Sequence, residues 1–107
     1  MAGLIHLIYC SAATRPFDRC ALAELLAEVR RANLARGITG MLLYSGGSFF
    51  QVLEGPEADI GAIFAKIAKD PRHGSIAVII REPIAQRSFG DWTMGYAELA
   101  ADEVVAP

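Results

Sequence analysis

Residues 38–54 read ITGMLLYSGGSFFQVLE, two apolar runs joined by serines and glycines. The central Gly46-Gly47 pair is typical of a tight turn between antiparallel strands. The flanking runs have the length and the apolar character of buried strands. This stretch therefore predicts a β-hairpin, with strand two over Ile38–Tyr44 and strand three over Phe49–Glu54.

A helix is predicted on each side of this hairpin. The first covers Arg19–Ala35, with Asp18 as its N-cap and Gly37 as its stop. The second begins with Pro56 at its first helical position and ends at Asp70-Pro71. The apolar residues of the second helix recur at helical spacing and form its buried stripe: Ile60, Ile63, Phe64 and Ile67.

Three further strands are predicted over Leu4–Ser11, Ser75–Ile84 and Asp91–Tyr96. The order is then βαββαββ. Two helices on one face of a mixed five-stranded sheet form a ferredoxin-like α+β sandwich. We expect one domain over residues 1–97. Residues 98–107 are expected to be an acidic C-terminal tail or the start of a capping helix.

Size and composition exclude several classes of protein. The 107 residues are 53% hydrophobic and 21% charged, which fits one buried core and not a disordered segment. A net charge of −2 gives no electrostatic reason to expect nucleic acid. No apolar run approaches the ~18 residues that would cross a membrane. Without a signal-peptide pattern, and with Cys10 and Cys20 expected to be free thiols outside any metal site, we expect a cytoplasmic protein.

Three polar side chains stand where the pattern calls for apolar ones. Tyr9 ends the apolar run of strand one, Gln51 interrupts strand three, and Asn33 continues an apolar stripe of the first helix. A buried amide without a partner costs about 1–3 kcal/mol, so each of these groups needs one. If the three converge, they predict recognition of a flat heteroaromatic ring. The alternative is an isolated buried polar network.

Strand parity indicates where these side chains point. Tyr9 and Gln51 each belong to the inward set of their strand, and strands one and three are neighbours in a ferredoxin-like sheet. Tyr9 and Gln51 are therefore expected to meet beneath the gap between the helices. Asn33 would line the same gap from the first helix.

Five ordered segments resemble the BLUF family, the flavin-binding blue-light sensor domains, in its short single-domain type. The likeness covers about residues 3–97, and five segments with compatible spacing are far more specific than any one of them. The segments are Tyr9 with Ser11, Asn33 with residues 37–44, residues 49–55, residues 70–73, and residues 89–95.

The resemblance implies a photoreceptor and not an enzyme. It implies a flavin held non-covalently between the helices, usually FAD, with FMN and riboflavin as alternatives. Light would drive electron and proton transfer from Tyr9, and Gln51 would rearrange and change its hydrogen bonds to the ring. Besides these photochemical residues, it implies the following flavin-binding set: Asn33, Gln51, Ser11, Phe49, Leu53, Ile67, Arg72 and His73.

Two segments have both a structural and a functional interpretation. Arg72 and His73 follow the end of the second helix, where they are either solvated or in contact with the ribityl and phosphate part of the flavin. Trp92 and Met94 share parity on strand five, which is typical of an amphipathic edge strand. The resemblance instead implies that Trp92 and Met94 carry a signal from Gln51 to the far surface of the sheet.

The outer face of the predicted sheet is too apolar to be left bare in a soluble monomer. We expect a homo-oligomer through this face, or C-terminal helices over it, and an unidentified downstream protein. Two rival functions remain. A hydrolase of the acylphosphatase kind needs a glycine-rich anion loop that residues 11–14 do not offer. The second rival is a flavin-free interaction module, which would leave the polar Gln51 side chain without a function.

Overall fold

The computed structural model describes residues 3–15, 17–90 and 92–98. Its elements follow one another in the predicted order βαββαββ. They are β1 (Leu4–Ala13), α1 (Arg19–Arg36), β2 (Thr39–Ser45), β3 (Ser48–Pro56), α2 (Glu57–Lys69), β4 (His73–Pro83) and β5 (Gly95–Glu98).

The strands form one mixed sheet in the order β4-β1-β3-β2-β5. The first four are antiparallel neighbours, and β5 runs parallel to β2. This is the expected ferredoxin-like α+β fold. In the pairing of β1 with β3, Tyr9 lies directly opposite Gln51. The prediction that these two side chains meet on one face is therefore confirmed.

Local sequence explains the turns that close these elements. Gly46 and Gly47 both have positive φ, 55° and 84°, as a tight hairpin turn between twisted strands requires. The Asp18 carboxylate accepts a hydrogen bond of 2.8 Å from the Ala21 amide and caps α1. Gly37, with φ of 67°, ends the same helix in the left-handed conformation.

The core lies between the inner face of the sheet and the two helices. Over residues 4–11 of β1 and 49–53 of β3, buried inward residues alternate with half-buried outward ones, as strand geometry requires. The stripe predicted for α2 is confirmed for Ile60 and Ile63, which are buried, whereas Phe64 and Ile67 are half-buried beside them.

Most element boundaries differ from the prediction by one or two residues, and β5 differs by more. The starts of α2 and β5 have a clear local cause. Pro56 is extended, with φ of −60° and ψ of 141°, so it precedes α2 as the N-cap and is not its first residue. β5 begins at Gly95, four residues later than predicted. The carbonyl groups of Thr93 and Met94 accept hydrogen bonds from α1 side chains, and the ladder with β2 therefore starts only at Gly95.

Other sequence expectations concern disulfides, membrane helices, metals and the tail. Cys10 and Cys20 form no disulfide. Within the described residues, no helix is long and apolar enough to cross a membrane, and no group of His, Cys, Asp or Glu side chains is placed to hold a metal ion. Of the predicted tail, residues 99–107 lie outside the part of the chain that the structure describes.

Gly40 on β2 lies where the sheet has no room for a side chain. A Cβ added there would lie 1.9 Å from the backbone oxygen of Val52, whereas a Cβ on Gly61 of α2 would meet nothing within 4 Å. We expect Gly40→Ala to lower the free energy of unfolding by about 1–3 kcal/mol or more. Gly61→Ala is the matched control and should raise it by about 0.5–1 kcal/mol. Chemical denaturation measures both changes, and an equally stable Gly40→Ala variant would contradict the described packing.

Candidate functional site

A cavity of about 280 Å³ opens between α1 and α2, with the inner face of the sheet as its floor. Its volume lies near the lower end of the range typical of small-molecule sites. Six of the side chains predicted to bind a ligand line it: Asn33, Gln51, Leu53, Ile67, Arg72 and His73. The two remaining predicted residues, Ser11 and Phe49, do not line the cavity but contact His73 at its edge.

Beneath the cavity, Tyr9, Gln51 and Met94 form a chain of hydrogen bonds. The fully buried Tyr9 donates its hydroxyl proton to Gln51 Oε1. Gln51 Nε2 in turn points at Met94 Sδ, 3.7 Å away. Because the amide has an acceptor at one end and a donor at the other, Gln51 connects a strong donor to a weak acceptor.

Asn33 supplies the second polar group of the cavity. It is 0% exposed, and its Nδ2 donates a hydrogen bond of 2.7 Å to the Thr93 carbonyl. Its Oδ1 is buried and has no hydrogen-bond partner within the described residues. A buried acceptor left in this state costs about 1–3 kcal/mol, so the oxygen is suited to a ligand that brings a donor.

Burial keeps the Tyr9 phenol protonated. Desolvation raises the pKa of Tyr9 above its ordinary value, and the negative charge of Asp70 raises it further. The Tyr9 ring packs edge-on against Phe64, with centroids 5.4 Å apart. Tyr9 is therefore a proton donor, held in one orientation by packing and by the hydrogen bond to Gln51.

His73, the first residue of β4, also lines the cavity. Its Nδ1 and the Ser11 hydroxyl are hydrogen-bonded at 2.8 Å, and its ring lies 4.9 Å from that of Phe49. Desolvation lowers the pKa of His73; Asp70 opposes this shift and Arg72 adds to it. The cavity therefore holds a neutral imidazole near neutral pH.

The mouth of the cavity is charged. Arg72 forms an ion pair of 2.6 Å with Asp70 and a second of 3.0 Å with Glu28 of α1. Hydrogen bonds from Arg72 hold the pKa of the Asp70 carboxyl below its usual value. Lys66 of α2 also lines the cavity. Arg72 is thus engaged by carboxylates, and an anionic ligand group at this mouth would compete with Asp70 and Glu28 for it.

The structure corrects the prediction for Trp92 and Met94. Neither residue lies on β5, so they do not share the parity of one strand. Met94 is 2% exposed and reaches Gln51, whereas Trp92 is 49% exposed and stacks on Phe89 with centroids 5.7 Å apart. Of these two residues, Met94 is the one whose side chain is hydrogen-bonded to the Gln51 amide.

Several cavity residues were not predicted from the sequence. Val29 of α1 belongs to the apolar stripe that the sequence predicts around Asn33, although it was not predicted to line the site. Leu25 and Ala32 border that stripe at helical spacing, so periodicity is the signal that identifies all three. Glu28 and Lys66 lie at the edges of the stripes of α1 and α2. A charged residue at such an edge is typical of a solvated helix face, so the sequence gives no signal for these two.

Taken together, the fold and the cavity define an α+β domain with a ligand-sized site lined by apolar side chains and by the amides of Asn33 and Gln51. The family described as "BLUF: Sensors of blue-light using FAD" matches residues 4–95. The chain therefore belongs to the BLUF family. Members of this family are flavin-binding sensors of blue light, so the domain itself is a photosensor.

Among curated relatives, the chain is similar to the photoactivated adenylate cyclase subunit alpha of Euglena gracilis, with 42% identity over 95 residues. That match covers 85% of this chain and 9% of the relative. It is also similar to the blue light- and temperature-regulated antirepressor BluF of Escherichia coli K12, with 35% identity over 82 residues, 77% of this chain and 20% of the relative. The chain thus spans only a small part of the curated relatives it matches.

Solved structures agree with the fold. The dark-state structure of the BLUF protein BlrB has a TM-score of 0.85 and 39% identity, covering 92% of this chain and 74% of that one. Klebsiella pneumoniae BlrP1 with FMN and cyclic diGMP has a TM-score of 0.81 and 38% identity, covering 89% of this chain and 26% of that one.

The depressed pKa of His73 predicts a loss of stability in mild acid. In the unfolded chain the imidazole titrates near 6.5, so as the pH falls the unfolded state takes up a proton before the folded state does. The free energy of unfolding should fall as the pH drops below 6.5 and level off below the folded-state pKa. Denaturation at about pH 7.5 and about pH 5.5 measures this difference.

His73→Gln should lose this component of the pH dependence. His6→Gln is the matched control, because His6 lies on the outer face beside Glu82 and away from the cavity. If the free energy of unfolding falls by the same amount in the parent and in His73→Gln between the two pH values, His73 is not desolvated in the folded state.

Proposed function

We propose that this domain is a blue-light photoreceptor that binds FAD non-covalently in the cavity between α1 and α2. The observation that carries the proposal is the buried chain from Tyr9 through Gln51 to Met94 on the floor of that cavity. FMN and riboflavin are the alternatives, and they share the ring that this floor would recognise. The family description supports FAD, and the BlrP1 structure with FMN supports FMN as an alternative.

Asn33 and Gln51 would hold the polar edge of the ring. Asn33 Oδ1 is a buried acceptor without a protein partner in the described structure, which suits a ring N–H. Apolar side chains of both helices, including Val29 and Ile67, would enclose the ring faces. Arg72 and His73 at the mouth would contact the ribityl and phosphate part, in competition with Asp70.

The flavin, when bound, supplies absorption of blue light and an excited state that accepts an electron. Tyr9 would be the electron donor, because its phenol is oxidisable and fully buried. Its hydroxyl proton already lies on a hydrogen bond to Gln51 Oε1, so the proton can pass to the Gln51 amide as the electron leaves the phenol. Return of both to Tyr9 would complete the cycle without consuming a substrate.

Gln51 is the element that would differ between the dark and light states. Rotation of its amide would exchange the end that faces Tyr9, whereas tautomerisation would leave both ends in place and exchange donor for acceptor. The bond to Met94 Sδ is a weak one, so it offers little resistance to this exchange. The changed amide then presents a different hydrogen-bonding pattern to the ring edge and to Met94.

Met94 leads directly into β5, and we infer that the signal leaves through this strand. Trp92 would take part by exchanging places with Met94. The outer sheet face is apolar, with half-buried Ile8, Phe50 and Val52 and 39% exposure of Ile80, and we infer that it mediates a homo-oligomer or binds a downstream protein. The free thiols fit a reducing compartment, so we place this sensor in the cytoplasm.

The absorption spectrum tests the proposed function. The purified protein should be yellow, and acid or heat should release the flavin because it is not covalently attached. Blue light should move the visible band slightly to the red, reversibly in darkness, because a hydrogen bond to an oxidised ring has changed. Lasting loss of the visible band would indicate reduction or an adduct and would contradict this mechanism.

Tyr9→Phe should abolish the red shift while flavin remains bound, because the ring keeps its packing against Phe64 and loses only the hydroxyl. Tyr44→Phe is the matched control, since Tyr44 is also a buried tyrosine on the inner face and its hydroxyl contacts the Phe17 amide at 3.3 Å. Tyr44→Phe should retain the red shift. A normal photocycle in Tyr9→Phe would remove Tyr9 from the mechanism.

A further inference from the structure

Glu54 is a carboxylate that is only 1% exposed, on β3 and outside the flavin cavity. Strand parity assigns it to the outer face, together with the half-buried Phe50 and Val52. It follows Gln51 by three residues on the same strand. A buried carboxylate is costly unless hydrogen bonds satisfy its oxygens, so its partners indicate its role.

The Glu54 carboxylate binds the segment that connects β4 to β5. The Ser88 amide donates to Oε2 at 2.7 Å, and the Phe89 amide donates to Oε1 at 2.9 Å. The Thr39 hydroxyl of β2 donates to Oε1 at 3.2 Å. Backbone amides on a carboxylate form short, charge-assisted bonds, which are about twice as strong as neutral ones.

Arg87 strengthens the same attachment without occupying the carboxylate. Its Nη2 donates to the Gly37 carbonyl at 2.7 Å, and its Nη1 donates to the Thr39 hydroxyl and the Glu54 carbonyl at 2.8 and 3.1 Å. The Arg87 guanidinium therefore attaches the connecting segment to the chain around the start of β2 and to the end of β3. The carboxylate oxygens remain available for the Ser88 and Phe89 amides.

Beyond Phe89, the residues from Trp92 to Met94 are held by further hydrogen bonds. The Trp92 amide donates to the Phe89 carbonyl at 3.0 Å, and the Trp92 carbonyl accepts from Gly40 at 3.1 Å. Arg30 of α1 then donates to the Met94 carbonyl at 3.0 Å. One short segment is thus attached to β3 twice, at Glu54 by its backbone and at Gln51 by the Met94 side chain.

We propose that Glu54 is a positioning residue of the photosensor. By binding the Ser88 and Phe89 amides, its carboxylate sets where Met94 Sδ lies relative to the Gln51 amide. The link to light rests on the proposed function, whereas the positioning itself exists in the dark protein. Glu54 contacts neither Tyr9 nor the cavity, so it acts only through the segment that carries Met94.

Glu54→Gln is the appropriate change, because the side chain keeps its size and loses one of two acceptors that both receive backbone amides. Exchange of the Ser88 or Phe89 amide hydrogen, measured by NMR in the dark, should accelerate by about tenfold or more. Glu24→Gln, at an exposed position of α1, is the matched control and should leave both rates unchanged.

The effect on Met94 is read from its methyl resonance in protein with labelled methionine. The sequence contains Met1, Met41 and Met94, and the Met94 signal is the one that disappears in Met94→Ala. Glu54→Gln should displace this signal and Glu24→Gln should not. If Glu54→Gln does not fold, Arg87→Ala serves as the second variant. It removes the guanidinium hydrogen bonds of the same segment and should also displace the Met94 methyl signal.

A double-mutant cycle separates positioning from a general loss of stability. Glu54→Gln should change the dark-recovery rate by about tenfold in the parent and leave it unaltered in the Met94→Ala background. An unmoved Met94 signal, or an equal change of rate in both backgrounds, would overturn the proposal. A parent without any light-induced shift would contradict the proposed function alone, because amide exchange and the methyl signal are recorded in darkness.

Discussion

The hydrogen bond between Tyr9 and Gln51 depends on the register of β1 against β3, and the site is built around it. The two residues lie directly opposite each other, so both side chains point to the same face. A slip of one residue would turn either of them to the outer face and separate them. The Gly46-Gly47 turn fixes the register of β3 against its other neighbour, β2, and so fixes the face to which Gln51 points. The pairing of Tyr9 with Gln51 is thus a consequence of sheet geometry.

The cost of burying polar groups explains why the remaining contacts exist. Gln51 and Asn33 are amides in an apolar core, and each has one end bound to the segment before β5, at Met94 Sδ and at the Thr93 carbonyl. The other end of the Gln51 amide faces Tyr9, and the other end of the Asn33 amide faces the cavity. Hydrogen bonds are stronger in an interior of low polarity, and the groups bonded to a buried amide have few alternative partners there. An exchange of the amide ends therefore changes the hydrogen-bond energy of each of these groups. In the proposed mechanism, a rearrangement of Gln51 would therefore change how the segment that leads to β5 is held, and signalling requires a two-state element of this kind.

Periodicity and turn chemistry were sufficient to predict the part of the site that regular elements carry. Tyr9 and Gln51 follow from strand parity, and Asn33 from its place on a helical stripe. The start of β5 did not follow, because side chains of α1 take the carbonyl groups that a longer strand would have used. Glu54 was assigned to the outer face by parity, but its burial depends on a connecting segment that no local pattern places. Long-range contacts of irregular segments are what a single sequence leaves undetermined.

The central claim is that the Gln51 side-chain amide differs between dark and light, and isotope-edited infrared spectroscopy tests it most directly. The glutamines of the sequence are Gln51 and Gln86, so a Gln86→Ser variant with carbon-13 in its glutamine side chain reports on Gln51 alone. The light-minus-dark spectrum should then contain a side-chain carbonyl band that moves on labelling. If the flavin bands shift on illumination while no band depends on the label, Gln51 does not rearrange and the account is wrong.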